Sequence, residues 1–156
     1  MKTTKYLLLL ITISLFFWGC KKYEDGPFFT LVSAQSRLVN HQWALDQYLR
    51  NNVDETSYIV INTITYLETY GKDGTYTVSY YDDSNKSINE SGKWEFENKK
   101  DGLHLSGISS YSKFCSTYSY SLSSSHVTIL KLTKDEYWYT FEDGGDTHEL
   151  HLKAVN

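Results

Sequence analysis

The chain has 156 residues, 40% of them hydrophobic and 16% aromatic, with one proline and a formal net charge of −4. This length is typical of one domain, and the aromatic content excludes a disordered, collagen-like or coiled-coil chain. The negative charge argues against general nucleic-acid binding. The sequence therefore predicts one folded domain whose partners are not polyanions.

The first 19 residues are predicted to be a cleaved export signal. Lys2 and Lys5 precede an apolar run over residues 6–17, which is shorter than the roughly 20 residues that span a bilayer. The run ends at Gly19 followed by Cys20, and this ending resembles a bacterial lipobox. An ordinary secretory signal or a transmembrane anchor is the alternative interpretation.

Cys20 is the predicted site of lipidation. Its thiol would be alkylated by a diacylglycerol, and the amine released by cleavage of residues 1–19 would be acylated. The resulting acyl chains together give stable anchoring, whereas a single chain gives only marginal membrane binding. Loss of Lys2 and Lys5 leaves 13 basic against 19 acidic residues, a mature net charge of −6. Residues 20–27 are then the lipid anchor and tether, and the domain covers 28–156.

The outer membrane is the predicted location. Lys21 stands directly after Cys20, where an aspartate would retain a lipoprotein at the inner membrane of enteric bacteria. The periplasmic and the cell-surface face both remain open. The other cysteine, Cys115, has no partner once Cys20 is a thioether, and we expect a small buried apolar side chain in a strand.

Beyond the tether, the pattern predicts an all-β domain. Residues 28–40 have apolar positions at near-helical spacing and predict one short helix. The predicted strands are 43–49, 58–70, 75–81, 88–96, 103–105, 127–132, 136–142 and 147–154. Predicted shared faces are Trp43, Leu45, Gln47 and Leu49; Tyr76, Val78 and Tyr80; Trp94 and Phe96; and the inward-facing Leu150 and Leu152.

Short turns join these strands. They are predicted at 72–74, 82–85, 98–102, 134–135 and 143–146. Residues 106–125 contain ten serines and predict either a mobile loop or two polar strands. The fold class is therefore an antiparallel meander of eight or nine strands closing into a barrel, with a sandwich as the alternative. A transmembrane barrel is rejected because many outward positions are charged or serine.

Four segments carry a family resemblance. They are 37–43 (RLVNHQW), 70–76 (YGKDGTY), 91–96 (SGKWEF) and 130–138 (LKLTKDEYW). In this order and spacing the chain resembles small bacterial lipocalin-like lipoproteins. The resemblance implies a lipocalin-like barrel that can hold an apolar cavity, with Trp43 packed across its closed end. His41 stands where the lipocalin pattern has glycine, and most members of the group have no assigned ligand.

Three tryptophans are the candidate ligand-binding residues. Trp43, Trp94 and Trp138 are the largest apolar side chains of the domain. Ligand pockets are lined mainly by apolar and aromatic groups, so these side chains are predicted to form a pocket wall. Packing in a solid core is the alternative.

No metal site or cofactor is predicted. His148 and His151 are three residues apart in a strand, which places them on opposite faces. The acidic turns at 82–85 and 143–146 do not supply the six to eight oxygens that calcium needs.

The predicted function is non-enzymatic. The chain lacks Gly-x-Ser-x-Gly, His-Glu-x-x-His and the glycine-rich nucleotide-binding patterns. We expect a lipid-anchored envelope lipoprotein whose barrel binds a small apolar ligand, with the membrane and that ligand as partners. The alternative is an interaction module with a filled barrel that docks an envelope protein or glycan. The oligomeric state is left open.

Overall fold

The described residues include one short α-helix, one turn of 3-10 helix (Asn98–Lys100) and eleven strands. The computed structural model describes residue 23 and residues 31–39, 41–57, 66–81, 85–107, 111–115, 118–121 and 124–155. The α-helix is α1 (Ala34–Val39). The strands are β1 (Gln42–Arg50), β2 (Val53–Asp54), β3 (Leu67–Tyr70), β4 (Thr75–Tyr81), β5 (Ser87–Glu97), β6 (Gly102–Ser106), β7 (Tyr111–Cys115), β8 (Tyr118–Ser121), β9 (Ser124–Leu132), β10 (Glu136–Asp143) and β11 (Asp146–Val155).

Eight strands close into an antiparallel barrel. The ring runs β1-β3-β4-β5-β6-β9-β10-β11 and returns to β1, with β2 paired to β1 as a ninth strand. The β1–β11 ladder closes the ring, from Gln42 opposite Val155 to Arg50 opposite His148. This closure confirms the predicted fold class and decides for a barrel over a sandwich. Strands β7 and β8 pair with each other in the serine-rich segment, which confirms the two-strand alternative there.

Period-two alternation places the predicted faces inside the barrel. Tyr76, Val78 and Tyr80 of β4 are buried, and so are Leu150 and Leu152 of β11. Alternate residues of a strand point to opposite faces, so each such set lines one side of the interior. The hairpin predicted at 143–146 is present, with Asp143 opposite Asp146 and both intervening glycines at positive φ.

The face predicted for β1 is wrong in its second half. The register to β11 shifts between Leu45 and Gln47, so that one residue is extra on β1. A bulge of this kind reverses which side chains face inward. Tyr48 is therefore 1% exposed inside the barrel, whereas Gln47 donates to the exposed Asp54 at 2.8 Å.

Helix α1 covers one end of the barrel. Leu38 is fully buried, and its carbonyl oxygen accepts a 2.9 Å hydrogen bond from the indole nitrogen of Trp43. Arg37 donates to the carbonyl oxygen of Leu132 at the end of β9. Tyr23 is also buried at this end, where its hydroxyl donates to the carbonyl oxygen of Lys100 at 3.0 Å. Trp43 thus lies at the covered end, as the family resemblance implies.

Several predictions fall on residues outside those described. These are the export signal, Cys20, most of the tether, the first part of the strand predicted over 58–70, and Asp82 and Asp83. Of the 58–70 segment, the structure describes the last five residues, four of which form β3. Within the described part of the chain, no helix is long and apolar enough to cross a membrane.

Gly102 is expected to tolerate no larger side chain. A Cβ atom at this position would lie 2.6 Å from the carbonyl oxygen of Val127 on the neighbouring strand β9. Backbone atoms in a barrel ladder have little room to move, so Gly102→Ala should lower the free energy of unfolding by about 1–3 kcal/mol. Urea denaturation measures this loss. Ser91→Ala, at an exposed position of β5, is the control and should change stability by less than about 0.5 kcal/mol. An unchanged midpoint for Gly102→Ala would contradict the close approach.

Candidate binding site inside the barrel

A carboxylate lies at the centre of the barrel interior. Glu68 is on β3 and is 0% exposed. Tyr66 and Tyr70 are two residues before and after it, so the alternation of an extended chain brings all three side chains to the inner face. Glu68 lies opposite Trp43 of β1 and Val78 of β4, both of which are also buried.

Three phenol hydroxyls hold the Glu68 carboxylate. Tyr66 and Tyr139 donate to Oε1 at 2.5 and 2.6 Å, and Tyr70 donates to Oε2 at 2.7 Å. We call Glu68 with these three tyrosines the tyrosine–glutamate cluster. Tyr139 comes from β10, so the cluster joins strands on two sides of the barrel. Glu68 and these tyrosines are absent from the residues predicted for ligand binding.

Aromatic rings surround the cluster. The ring of Tyr70 contacts those of Tyr76, Tyr137 and Trp94, with centroid separations of 4.9, 5.7 and 5.8 Å. Trp43 meets Tyr137 edge to face at 5.6 Å. The interior beside Glu68 is therefore an aromatic wall with hydroxyl groups aimed at one carboxylate.

Burial governs the ionisation of the cluster. Removal from water raises the pKa of Glu68, and the phenols of Tyr139, Tyr66, Tyr70 and, to the least extent, Tyr76 act in the opposite direction. The pKa values of Tyr70 and Tyr137 are raised well above 10, first by burial and then by the charge of Glu68. The two phenols consequently stay protonated and can donate hydrogen bonds throughout the physiological pH range.

A tyrosine–histidine pair lies farther from α1. The hydroxyl of Tyr48 and Nδ1 of His148 are 2.7 Å apart, and His148 is 6% exposed. The imidazole also stacks on Phe141, with centroids 5.0 Å apart and planes at 10°. Burial lowers the pKa of His148, which favours the neutral ring.

His148 should make stability fall in mild acid. Its folded pKa lies below the unfolded value of about 6.5, so the unfolded chain binds the proton first as the pH drops. The contribution of His148 is complete above about pH 6.5 and is lost as the pH falls towards the folded pKa. Urea denaturation of the wild type and of His148→Phe at a series of pH values measures this contribution to the free energy of unfolding. If the free energy of unfolding changed with pH in the same way for both proteins, the prediction would be contradicted.

The structure brings two of the three predicted tryptophans to the interior. Trp43 is 0% and Trp94 7% exposed, and both border the cluster. Trp138 lies on the outer face, because its neighbours Tyr137 and Tyr139 face inward. There its ring stacks on His151 at 4.0 Å, with the Lys131 ammonium 4.0 Å from the ring centroid. The three side chains do not share one wall, and a ligand-binding role for them stays a prediction.

The two histidines and Asp146 of the acidic turn at 143–146 are engaged with protein groups. His148 faces inward and His151 outward, which confirms the predicted opposite faces. Asp146 accepts from Asn51 at 2.7 Å and pairs with Arg50 at 3.4 Å. Among the described residues, no three His, Cys, Asp or Glu side chains are grouped to hold a metal ion.

The two ends of the barrel differ in charge. At the α1 end, the described turn residues include Lys72, Lys99, Lys100 and Lys134 beside Asp73, Asp101 and Asp135. At the opposite end, the described turns and the strand ends beside them carry Asp54, Glu55, Glu142, Asp143 and Asp146, against Arg50 and Lys86. The described part of the opposite end therefore has an excess of negative charge, and we call it the acidic end.

A groove on the outer surface lies beside the barrel wall. Its volume is about 350 Å³, and it is lined by Asp73, Gly74, Lys93, Trp94, Glu95, His104 and Ser106. His104 pairs with Glu95 at 3.4 Å and stacks on His126 at 4.8 Å. Polar and charged residues line the groove together with Trp94, the ring of which contacts Tyr70 of the cluster.

Comparison with solved structures identifies the fold. A lipocalin-like protein from Bacteroides uniformis is similar over 76% of this chain and 99% of its own, with a TM-score of 0.52 and 12% sequence identity. The bovine lipocalin allergen Bos d 2 is similar over 78% of this chain and 75% of its own, with a TM-score of 0.46 and 9% identity. No protein-family model and no curated protein matches the chain. The barrel is lipocalin-like.

Proposed function

We propose that the protein is a lipid-anchored lipoprotein of the bacterial outer membrane whose barrel binds a small, largely apolar ligand and catalyses no reaction. The observation that carries the ligand-binding part of the proposal is the barrel itself, whereas the anchor and the location rest on the export signal and Cys20 predicted from the sequence. The barrel is lipocalin-like, it is covered at one end by α1 and Trp43, and its interior is lined by aromatic rings around the tyrosine–glutamate cluster. Concave, mainly apolar interiors with a few polar groups are the usual sites for small molecules.

Native mass spectrometry tests ligand binding. The full-length protein is isolated gently from its own envelope into lipid nanodiscs and measured before and after denaturation. A reproducible added mass that disappears on denaturation supports the proposal and identifies the ligand class. A bare mass, with no uptake when candidate small molecules are added back, contradicts it.

A filled barrel that docks another envelope molecule is the second candidate. The observation that favours it is the density of the interior, where Glu68, Tyr70, Tyr137 and Tyr139 are all 0% exposed. A barrel of this kind would present its outer surface to a protein or glycan. The bare mass described above, together with a co-purifying envelope component, is the result expected for this candidate.

The anchor has its own test. Cys20→Ser should abolish incorporation of labelled palmitate and release the protein from the membrane fraction, because no thiol remains for the diacylglycerol. Cys115→Ser, at the end of β7, is the matched control and should keep both label and membrane retention. Unchanged labelling of Cys20→Ser would contradict the lipoprotein assignment.

A further inference from the structure

Glu68 is a buried acid whose hydrogen-bond partners are all neutral. Its two oxygens accept from three phenols, and no ion pair among the described residues includes it. Burying a carboxylate away from a cation is costly, even when hydrogen bonds satisfy its oxygens. An apolar side chain at position 68 would avoid that cost but would leave the three phenol hydroxyls without their acceptor. The arrangement places an acid at the centre of an aromatic barrel, where a cationic partner would favour its ionised form.

The rings near Glu68 suit a positively charged guest. Tyr66 and Tyr80 lie 6.2 Å apart between ring centroids, and Tyr139 and Phe141 also lie 6.2 Å apart. Aromatic faces attract cations, and they do so more strongly where water is excluded. An organic cation would find both a carboxylate and π faces here. An organic anion would be repelled by the same carboxylate.

Tyr66 is the phenol that a guest could replace. Its hydroxyl shares Oε1 of Glu68 with the hydroxyl of Tyr139, whereas Oε2 accepts from Tyr70. A donor that takes the place of the Tyr66 hydroxyl therefore leaves one phenol on each oxygen of the carboxyl group.

From these features we infer that the ligand of this barrel is a small organic amine with an apolar body, whose ammonium group takes the place of the Tyr66 hydroxyl on Glu68. The inference rests on the proposed ligand-binding function and specifies the chemical class of the ligand. An ammonium donates hydrogen bonds to the carboxylate and supplies the countercharge that the three phenols do not.

Three matched probes test the inference. Binding of 2-phenylethylamine, 2-phenylethanol and phenylacetate to the full-length protein in zwitterionic nanodiscs is measured by calorimetry, with empty nanodiscs as the blank. The amine should bind about tenfold or more tightly than the alcohol, and the acid least tightly. In Glu68→Gln the affinity for the amine should fall to that for the alcohol. Glu95→Gln, which removes a charge from the outer surface, should keep the preference.

The other outcomes distinguish the claim that the barrel binds a ligand from the claim that this ligand is an amine. Equal binding of amine and alcohol to the wild type, or a preference that survives Glu68→Gln, overturns the amine inference and leaves ligand binding intact. No binding of any probe counts against both. If Glu68→Gln does not fold, Tyr66→Phe decides, because it removes the phenol that competes for Oε1. It should bind the amine several-fold more tightly and the alcohol unchanged, and weaker amine binding overturns the inference.

Discussion

Replacing Glu68 with alanine is expected to lower the free energy of unfolding by about 3–5 kcal/mol. The change leaves the hydroxyls of Tyr66, Tyr70 and Tyr139 buried without their acceptor, and each such group costs about 1–3 kcal/mol. A cavity at the centre of the barrel adds to the loss. Glu68→Ala also removes the cost of burying a carboxylate, and this gain offsets part of the lost stability. The expected loss is therefore smaller than the sum of the separate costs.

Urea denaturation of two further variants separates these effects. Glu68→Gln keeps the volume and one carbonyl acceptor, so its loss should be smaller, about 1–2 kcal/mol. Glu95→Ala removes a carboxylate that is 74% exposed, and its effect should be below about 0.5 kcal/mol. If Glu68→Ala were as stable as Glu95→Ala, the carboxylate would not be the acceptor that holds the three tyrosines.

Trp43→Ala should be destabilising to a similar extent, by about 3–5 kcal/mol. The indole is fully buried at the α1 end, where it packs against Tyr137 and donates to the Leu38 carbonyl oxygen. Its loss opens a large cavity and leaves that carbonyl without its indole donor. Trp43→Phe should recover part of the stability, because a ring returns but the N–H donor does not.

Trp138→Ala is the matched control for this experiment. The same side chain is removed, but from the outer face, where Trp138 stacks on His151 beside Lys131. The expected loss is about 1 kcal/mol. Thermal unfolding followed by circular dichroism compares the variants. Equal losses for Trp43→Ala and Trp138→Ala would contradict the assignment of Trp43 to the core of the covered end.

The alternation of large apolar and polar residues predicts most of the barrel, because this pattern shows within each strand which face is buried. The set Tyr76, Val78 and Tyr80 is an example, since three large apolar side chains at period two can share burial only if the chain is extended. The bulge in β1 is different. The extra residue is defined by the register to the partner strand β11. The residue between Leu45 and Gln47 is Asp46, and neither a glycine nor a proline marks the bulge.

The inner face of β10 illustrates a second limit on what the sequence alone can predict. Tyr137, Trp138 and Tyr139 are consecutive, so both faces of this strand carry a large ring. Residue size alone favours Trp138 for the interior. Which face is inside depends instead on the neighbours in the ring, where Tyr137 lies opposite Leu132 and Leu152.

The candidate site was harder to predict than the fold. Tyr66, Glu68 and Tyr70 share a face by spacing alone, which is the signal that sequence offers. A glutamate on a strand ordinarily marks the face exposed to water. Its burial follows from a hydroxyl supplied by Tyr139, 71 residues later in the chain, and such a partner becomes visible only when the barrel closes.

The position of Tyr23 sets how the barrel would stand on a membrane. Tyr23 is fastened to the α1 end through Lys100, and three residues of extended chain reach at most about 11 Å. With the acyl chains on Cys20 that we propose, the α1 end is held next to the lipid headgroups and the barrel has little freedom to turn over. The acidic end then points away from the bilayer.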